Sequence, residues 1–135
     1  DWKRVRVAQA HGDEKKFGNQ DTDGSRSTRH FFEPMRRCGA AARTMLEAAA
    51  AERWNVPVSE VEAKNHEVVH RPTGRRAGYG SLAKAAAGQP VPARETLRLK
   101  DPKQFRYIGK GQLKLVDGPD IATGKAQYGI DTRLD

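Results

Sequence analysis

Ten residues near the N-terminus concentrate the small polar side chains that commonly bind anions. The stretch NQDTDGSRST, residues 19–28, contains two Asp, two Ser, two Thr and a Gly, and it runs directly into a helical pattern. Backbone N–H groups at a helix start, with short hydroxyls beside them, can bind phosphate or another anion. The same residue types are also ordinary in loops and helix caps. Local chemistry therefore leaves an anion site and a simple cap as alternatives.

Other reactive side chains form no complete catalytic pattern. His66 and His70 have the i,i+4 spacing that would converge on a metal from a helix, but their segment reads as strand and offers no obvious third ligand. Cys38, the sole cysteine, is predicted to be a small buried hydrophobic residue. The GKGQ stretch at Gly109–Gln112 lacks the glycine spacing of a phosphate loop or dinucleotide fingerprint. We therefore predict neither a catalytic group nor a metal ligand.

The amino-acid composition limits the kinds of partner that this chain could bind. The 135 residues carry 25 Lys and Arg against 17 Asp and Glu, a net charge of +8 that attracts polyanions. The basic residues are spread along the chain and no recognised nucleic-acid motif accompanies them. A basic module that binds an anion or nucleic acid and has no catalytic activity is therefore kept as the alternative function. The longest apolar stretch, AAARTMLEAAAA, is too short and too polar to cross a bilayer. The opening DWKRVRV lacks Met and a signal-like apolar run, so we expect a segment of a longer chain.

One long helix is the main predicted element. Val5 and Val7 alternate with arginines as in a half-buried strand, and a polar loop follows. A helix follows and ends near Asn55. It either begins near Glu33 with Pro34 in its first turn or begins nearer Ser27 and kinks at Pro34, and we prefer the kink. Its predicted packing stripe, which should bury against the strand and against elements outside this chain, is Met35, Cys38, Ala42, Met45 and Ala49. Three arginines spaced by seven, Arg29, Arg36 and Arg43, should share one helix face, which is predicted to be solvated or interdomain, with a direct ligand role as the alternative.

The remainder of the chain predicts smaller elements. VEAK and EVVH suggest a hairpin around Asn65 and His66, and RPTGRRAGYG adds a turn and a third strand. SLAKAAAG predicts a short helix with Ser81 as N-cap and Gly88 as its stop. Residues 89–107 read as an extended linker, and the glycine-rich tail as strand and turn. The predicted fold class is α+β: a long amphipathic helix on a small mixed sheet, an extended linker and a strand-rich tail.

Recognisable motifs cover most of the chain. The run from VRVAQAHGDEKKFGNQDTDGSRST through RHFFEPMRRCGAAARTMLEAAAAERWNVP resembles the molybdenum-cofactor-binding large subunit of the xanthine dehydrogenase and aldehyde oxidase family. Its isoquinoline 1-oxidoreductase beta-subunit branch, with related membrane-associated aldehyde dehydrogenases, has a T-G-G-S-x-S turn followed by a helix with E-P-x-R-R. LKDPKQFRYIGK and KLVDGPDIATGKAQYGIDTRL resemble the entry to that subunit's hammerhead domain. The resemblance implies that residues 1–88 are part of the cofactor domain, 89–107 a linker and 108–135 the start of a hammerhead-like domain.

The resemblance also implies which residues meet the cofactor. In the family, the small-residue turn approaches the dithiolene and phosphate of molybdopterin. The residues carried over are Gly24, Ser25, Arg26, Ser27 and Thr28. Gly lets the backbone come close and the hydroxyls offer donors. The sequence departs from the family pattern at Asp23, which stands in place of the first of two glycines. A carboxylate at this position repels an anion unless it points away.

Other implied properties concern the parent protein. The family's reaction is hydroxylation of an aldehyde or N-heterocycle with oxygen from water, with a molybdopterin cofactor for which the cytosine dinucleotide is one form. The implied partners are the remainder of the large subunit, an iron–sulfur small subunit and a cytochrome c acceptor, in a bacterial periplasmic or inner-membrane-associated parent. The family's Gly-Gln-Gly loop and late catalytic Glu are absent from these residues, so the isolated segment is expected to be inactive. A structural role after cleavage of the parent is a third alternative.

Overall fold

The computed structural model describes residues 4–8, 10–112 and 114–134. The chain divides into two compact units, Asp1–Leu99 and Lys100–Asp135. The first contains helices α1 (Glu14–Phe17), α2 (Arg26–Trp54) and α3 (Tyr79–Ala87), and strands β1 (Val61–Lys64), β2 (Glu67–His70) and β3 (Arg76–Gly78). The second contains helix α4 (Gly118–Ala122). The α+β class is confirmed.

Helix α2 dominates the first unit. Its 29 residues extend about 43 Å at 1.5 Å per residue. Pro34 lies inside it, so the prediction that the helix begins well before this proline is confirmed. The helix ends where Asn55 adopts the left-handed region at φ 52°, a conformation that Asn tolerates better than most residues. No helix of the described residues has the length and apolarity to span a membrane.

The three strands form an antiparallel sheet in the order β1-β2-β3. Val61 pairs with His70 and Lys64 with Glu67, which confirms the predicted hairpin, and Val68 pairs with Ala77 of the predicted third strand. Asn65 and His66 have φ values of 52° and 70°, as the two central residues of a type I′ turn require. The prediction of a mixed sheet is wrong, because connections as short as these allow only antiparallel neighbours.

The core lies between the C-terminal half of α2, the sheet and α3. Its buried residues are Ala50, Ala51, Val61, Val68 and Leu82, with Leu46 and Trp54 of α2 packed against them. Gly88 caps α3 as predicted, but the N-cap is Gly78 and not Ser81. The Ser81 hydroxyl lies in the first turn and donates to the Gly78 carbonyl at 2.8 Å. The backbone of α3 starts three residues earlier because β3 leads directly into it.

The predicted packing stripe of α2 is wrong in its N-terminal half. Ala49 is 1% exposed, but Met35 is 68% exposed, and Cys38 and Ala42 are exposed as well. The sheet and α3 meet only the C-terminal half of the helix, where Leu46, Ala50 and Trp54 contact the core. Cys38 is therefore not the buried residue that its position on the stripe predicts.

Two predicted strand regions are not strands. Residues 5–8 have no regular structure, and Val7 is 88% exposed, because within the described residues no neighbouring strand pairs with this short alternation. The described tail likewise contains helix α4 and 3₁₀ turns in place of strands. Gly109, Gly111 and Gly124 have positive φ, which interrupts extended backbone. Val116 is fully exposed, so no apolar face supports a tail sheet there.

Candidate functional site

The turn before α2 has an unusual backbone. Gly24 has φ 41° and Ser25 has φ 60°, so two successive residues lie in the left-handed region. The turn is closed by the Arg26 amide, which donates to the Asp23 carbonyl at 2.6 Å. Glycine adopts this conformation without steric cost, whereas most other residues are strained in it. A close backbone turn therefore stands directly at the start of the long helix.

Hydrogen-bond donors surround this turn on its exposed side. The first amides of a helix have no intrahelical acceptor, and the helix dipole adds partial positive charge there. Ser25, Ser27 and Thr28 are exposed, and the Ser25 side chain makes no capping bond to α2. The first turn of α2 contains no acidic residue. This end of the helix can accept an anion on chemical grounds.

Two carboxylates lie beside the same turn, and Arg26 pairs with both. Its Nη1 is 3.0 Å from Oδ2 of Asp21, and its Nε is 3.6 Å from Oδ1 of Asp23. The Asp21 side chain is 63% exposed and that of Asp23 is 70% exposed, so each pair alone stabilises the turn only weakly. The pairing neutralises negative charge that would otherwise oppose an anion.

Arg29 also lies at this turn, although the sequence analysis did not include it among the cofactor-binding residues. A Cβ built on Gly24 would lie 3.7 Å from Nη2 of Arg29, so the guanidinium lies over the glycine. The Arg29 amide also donates to the Ser25 carbonyl at 3.0 Å. Arg29 lies one helical turn after Ser25, and this position could have indicated the contact. The seven-residue spacing of the three arginines instead suggested a shared helix face.

The two other arginines of that spacing lie along the same helix but contact different groups. The Arg36 guanidinium is 5.3 Å from the centre of the Phe32 ring. Arg43 donates to the Arg98 carbonyl at 2.8 Å. The three arginines therefore serve separate contacts, which weakens the interpretation of a continuous basic docking face.

The histidines are arranged for structural contacts. The His70 side chain is 5% exposed, and its Nε2 lies 2.9 Å from Oε2 of Glu60. Its Nδ1 lies 2.7 Å from the Thr73 hydroxyl, so both ring nitrogens are engaged. His66 lies in the hairpin turn, where partial burial lowers its pKa from the usual value near 6.5. Within the described residues, no three His, Cys, Asp or Glu side chains are grouped as a metal site.

Comparisons with known proteins identify related sequences. No family model matches the chain. It is 43% identical over 88 residues to the isoquinoline 1-oxidoreductase subunit beta of Brevundimonas diminuta, covering 61% of this chain and 11% of that protein. It is 31% identical over 141 aligned residues to a membrane-bound aldehyde dehydrogenase of Gluconacetobacter polyoxogenes, whose name includes pyrroloquinoline quinone, covering 100% of this chain and 18% of that protein.

These similarities agree with the resemblance found in the sequence. The chain is a fragment of a protein of the molybdenum hydroxylase type. Within that class it is similar to the isoquinoline 1-oxidoreductase subunit beta over 61% of its length and to the membrane-bound aldehyde dehydrogenase over its whole length. It spans between a tenth and a fifth of the length of the two relatives.

Proposed function

We propose that the chain forms one wall of a molybdopterin site in a larger oxidoreductase subunit. The site residues are Gly24, Ser25, Arg26, Ser27 and Thr28. The observation that carries the proposal is the pair of left-handed residues at the start of a 29-residue helix, with exposed hydroxyls beside them. This geometry suits the phosphate of the cofactor, which needs several converging donors and a close backbone approach.

The arginines have different parts in this proposal. Arg26 holds the carboxylates of Asp21 and Asp23, so its contribution is to keep negative charge away from the anion. Arg29, with its guanidinium over Gly24, supplies a positive charge and further donors. We therefore add Arg29 to the five residues carried over from the family pattern.

The reaction of the parent belongs to the same proposal. It is the hydroxylation of an aldehyde or N-heterocycle with oxygen from water, and the bound molybdenum centre supplies the redox chemistry. Residues 1–88 belong to the cofactor domain, 89–107 to a linker and 108–135 to the next, hammerhead-like domain. Partners are the rest of the large subunit, an iron–sulfur subunit and a cytochrome c acceptor. The cofactor is the cytosine dinucleotide form.

The pyrroloquinoline quinone in one relative's name gives a second cofactor to test. This quinone carries carboxylates and would also bind at a helix start that offers donors. It contains no molybdenum, so metal analysis separates it from molybdopterin. Acid extraction followed by absorbance and mass measurement identifies whichever organic group is bound.

The decisive experiment measures cofactor loading in the full-length parent. Gly24→Val should obstruct the backbone approach and strain the turn, because φ is positive there, and it should reduce molybdenum per protein strongly. Ser25→Ala should be milder, with a loss of about 1 kcal/mol for one hydrogen bond. Arg29→Ala should also lower loading. Arg53→Ala is the control, since it removes an exposed arginine from the last turn of the same helix, away from both the turn and its first half.

Circular dichroism of each purified variant separates lost loading from misfolding. Full molybdenum content and wild-type turnover in folded Gly24→Val would mean that the turn is only a helix cap. Equal losses in Arg29→Ala and Arg53→Ala would remove Arg29 from the site. Extraction of pyrroloquinoline quinone without molybdenum would replace the cofactor in the proposal.

A further inference from the structure

The N-terminal half of α2 carries an exposed apolar face close to the proposed cofactor turn. Phe31 is 40% exposed, Phe32 39% and Met35 68%. Steps of three and four residues connect the members of this face, so they share one side of the helix. The face extends about 17 Å along the helix axis. We call it the Phe31–Ala42 face, and its members are Phe31, Phe32, Met35, Cys38, Gly39 and Ala42.

This face continues the one that is buried further along the helix. Steps of four and three from Met35 lead through Gly39 and Ala42 to Leu46 and Ala49. Ala49 is 1% exposed, and Leu46 packs against the core. One continuous side of α2 is thus covered by the fold at its C-terminal end and uncovered at its N-terminal end. Such a pattern indicates a contact surface, because scattered apolar residues would not extend a buried stripe.

The small residues of the face favour a helix as its occupant. A Cβ built on Gly39 would meet nothing within 4 Å, so the surface has open space at its centre. Ala42 continues this shallow strip one turn later. Small residues at such positions allow two helix backbones to approach closely, with larger side chains such as Met35 packing at the border.

Charge and length decide between possible occupants. The net charge of +8 opposes self-association, and the Arg36 guanidinium lies against the Phe32 ring of this face. The relatives continue for more than four-fifths of their length outside the matched segment. We propose that the Phe31–Ala42 face docks an apolar helix of the parent polypeptide that lies outside residues 1–135. This inference rests on the proposed assignment to a larger subunit.

Cys38 provides a direct test, because it lies on the face and is exposed. Maleimide labelling is followed at the Cys38 peptide by mass spectrometry, both in the 135-residue chain and in the full-length parent. The inference expects labelling at least about tenfold slower in the parent, because a buried thiol is shielded from reagent. Equal rates would overturn it without using any variant.

A matched pair of variants tests the chemistry of the face. Met35→Asp should lower the thermal stability of the parent and restore fast Cys38 labelling. His30→Asp introduces the same side chain on the opposite side of the same helix segment and should do neither. Identical behaviour of the two variants would contradict the inference. If Met35→Asp fails to fold, the wild-type labelling comparison still decides.

Two other occupants would be recognised by measurements on the 135-residue chain. A defined dimer in sedimentation velocity, lost in Met35→Asp but kept in His30→Asp, would replace the parent helix by a second copy. Co-sedimentation with phosphatidylcholine and phosphatidylglycerol vesicles, with the same variant dependence, would replace it by a lipid surface. Molybdenum content is read separately. A protected Cys38 in a molybdenum-free parent would refute the proposed cofactor and leave this inference standing.

Discussion

His70 should stabilise the first unit mainly through the packing of its ring. The side chain is 5% exposed, with its ring centre 6.3 Å from that of Trp54. Nε2–H donates to the Glu60 carboxylate, and Nδ1 accepts from the Thr73 hydroxyl, a tautomer that follows from the partners. Glu60 is 42% exposed and Thr73 is exposed, so both partners can turn to water when the ring is replaced.

This environment predicts different costs for two substitutions. His70→Phe keeps a ring against Trp54 and loses two hydrogen bonds, a net cost of about 1–2 kcal/mol in unfolding free energy. His70→Ala loses the same bonds and also leaves a cavity, for a total of about 3–4 kcal/mol. For a unit of this size, 1 kcal/mol shifts the midpoint by roughly 4–8 °C, so the variants should be well separated.

Thermal unfolding followed by far-UV circular dichroism, together with urea titration, measures the difference. If His70→Phe is as unstable as His70→Ala, the hydrogen bonds dominate and the packing argument is wrong. Glu60→Gln is the control, because it keeps an acceptor at the same position and should cost less than either. A change in molybdenum loading of the parent on mutation of His70, without a loss of stability, would also contradict its structural role.

Two further predictions concern the hairpin turn and the helix core. Because the pKa of His66 is lowered, its neutral form is favoured in the folded state, and stability should fall as pH drops below about 6.5. His66→Gly suits the positive φ at this position and should flatten that part of the pH profile, so an unchanged slope would assign it to another group. Ala50→Leu should cost about 1–3 kcal/mol, because Ala50 is fully buried, whereas exposed Ala42→Leu should be nearly neutral in the 135-residue chain. Equal urea midpoints for the two alanine variants would contradict the assignment of the core.

The elements that the sequence predicted well are those determined by local chemistry. Helix α2 has strong helix-forming residues over its C-terminal half and a left-handed Asn55 at its end. The hairpin depends on two adjacent residues, Asn65 and His66, that adopt positive φ between two β-rich runs. Both signals lie within a few residues of the structure they specify, so they do not depend on the rest of the fold.

The failures concern tertiary contacts that periodicity does not contain. A helical stripe identifies an apolar side of α2, but only the positions of the sheet and α3 decide that Leu46 is packed and Met35 exposed. The short alternation at Val5 and Val7 likewise needs a neighbouring strand, and the described residues provide none. At the candidate site, the motif indicated the turn itself. The approach of Arg29 to Gly24 required the backbone angles that only the structure gives.

The position of the candidate site on α2 links the two proposals. The core holds the helix from Leu46 onward, whereas the turn at Gly24 lies at its other end, about 30 Å away along the axis. Pro34 lies between them and removes one backbone hydrogen bond, which weakens the helix at that point. A helix whose first turns pack against nothing in the core would hold a cofactor turn imprecisely. Docking of the Phe31–Ala42 face would fix the intervening segment, so cofactor loading in the parent should depend on that contact as well as on the turn residues.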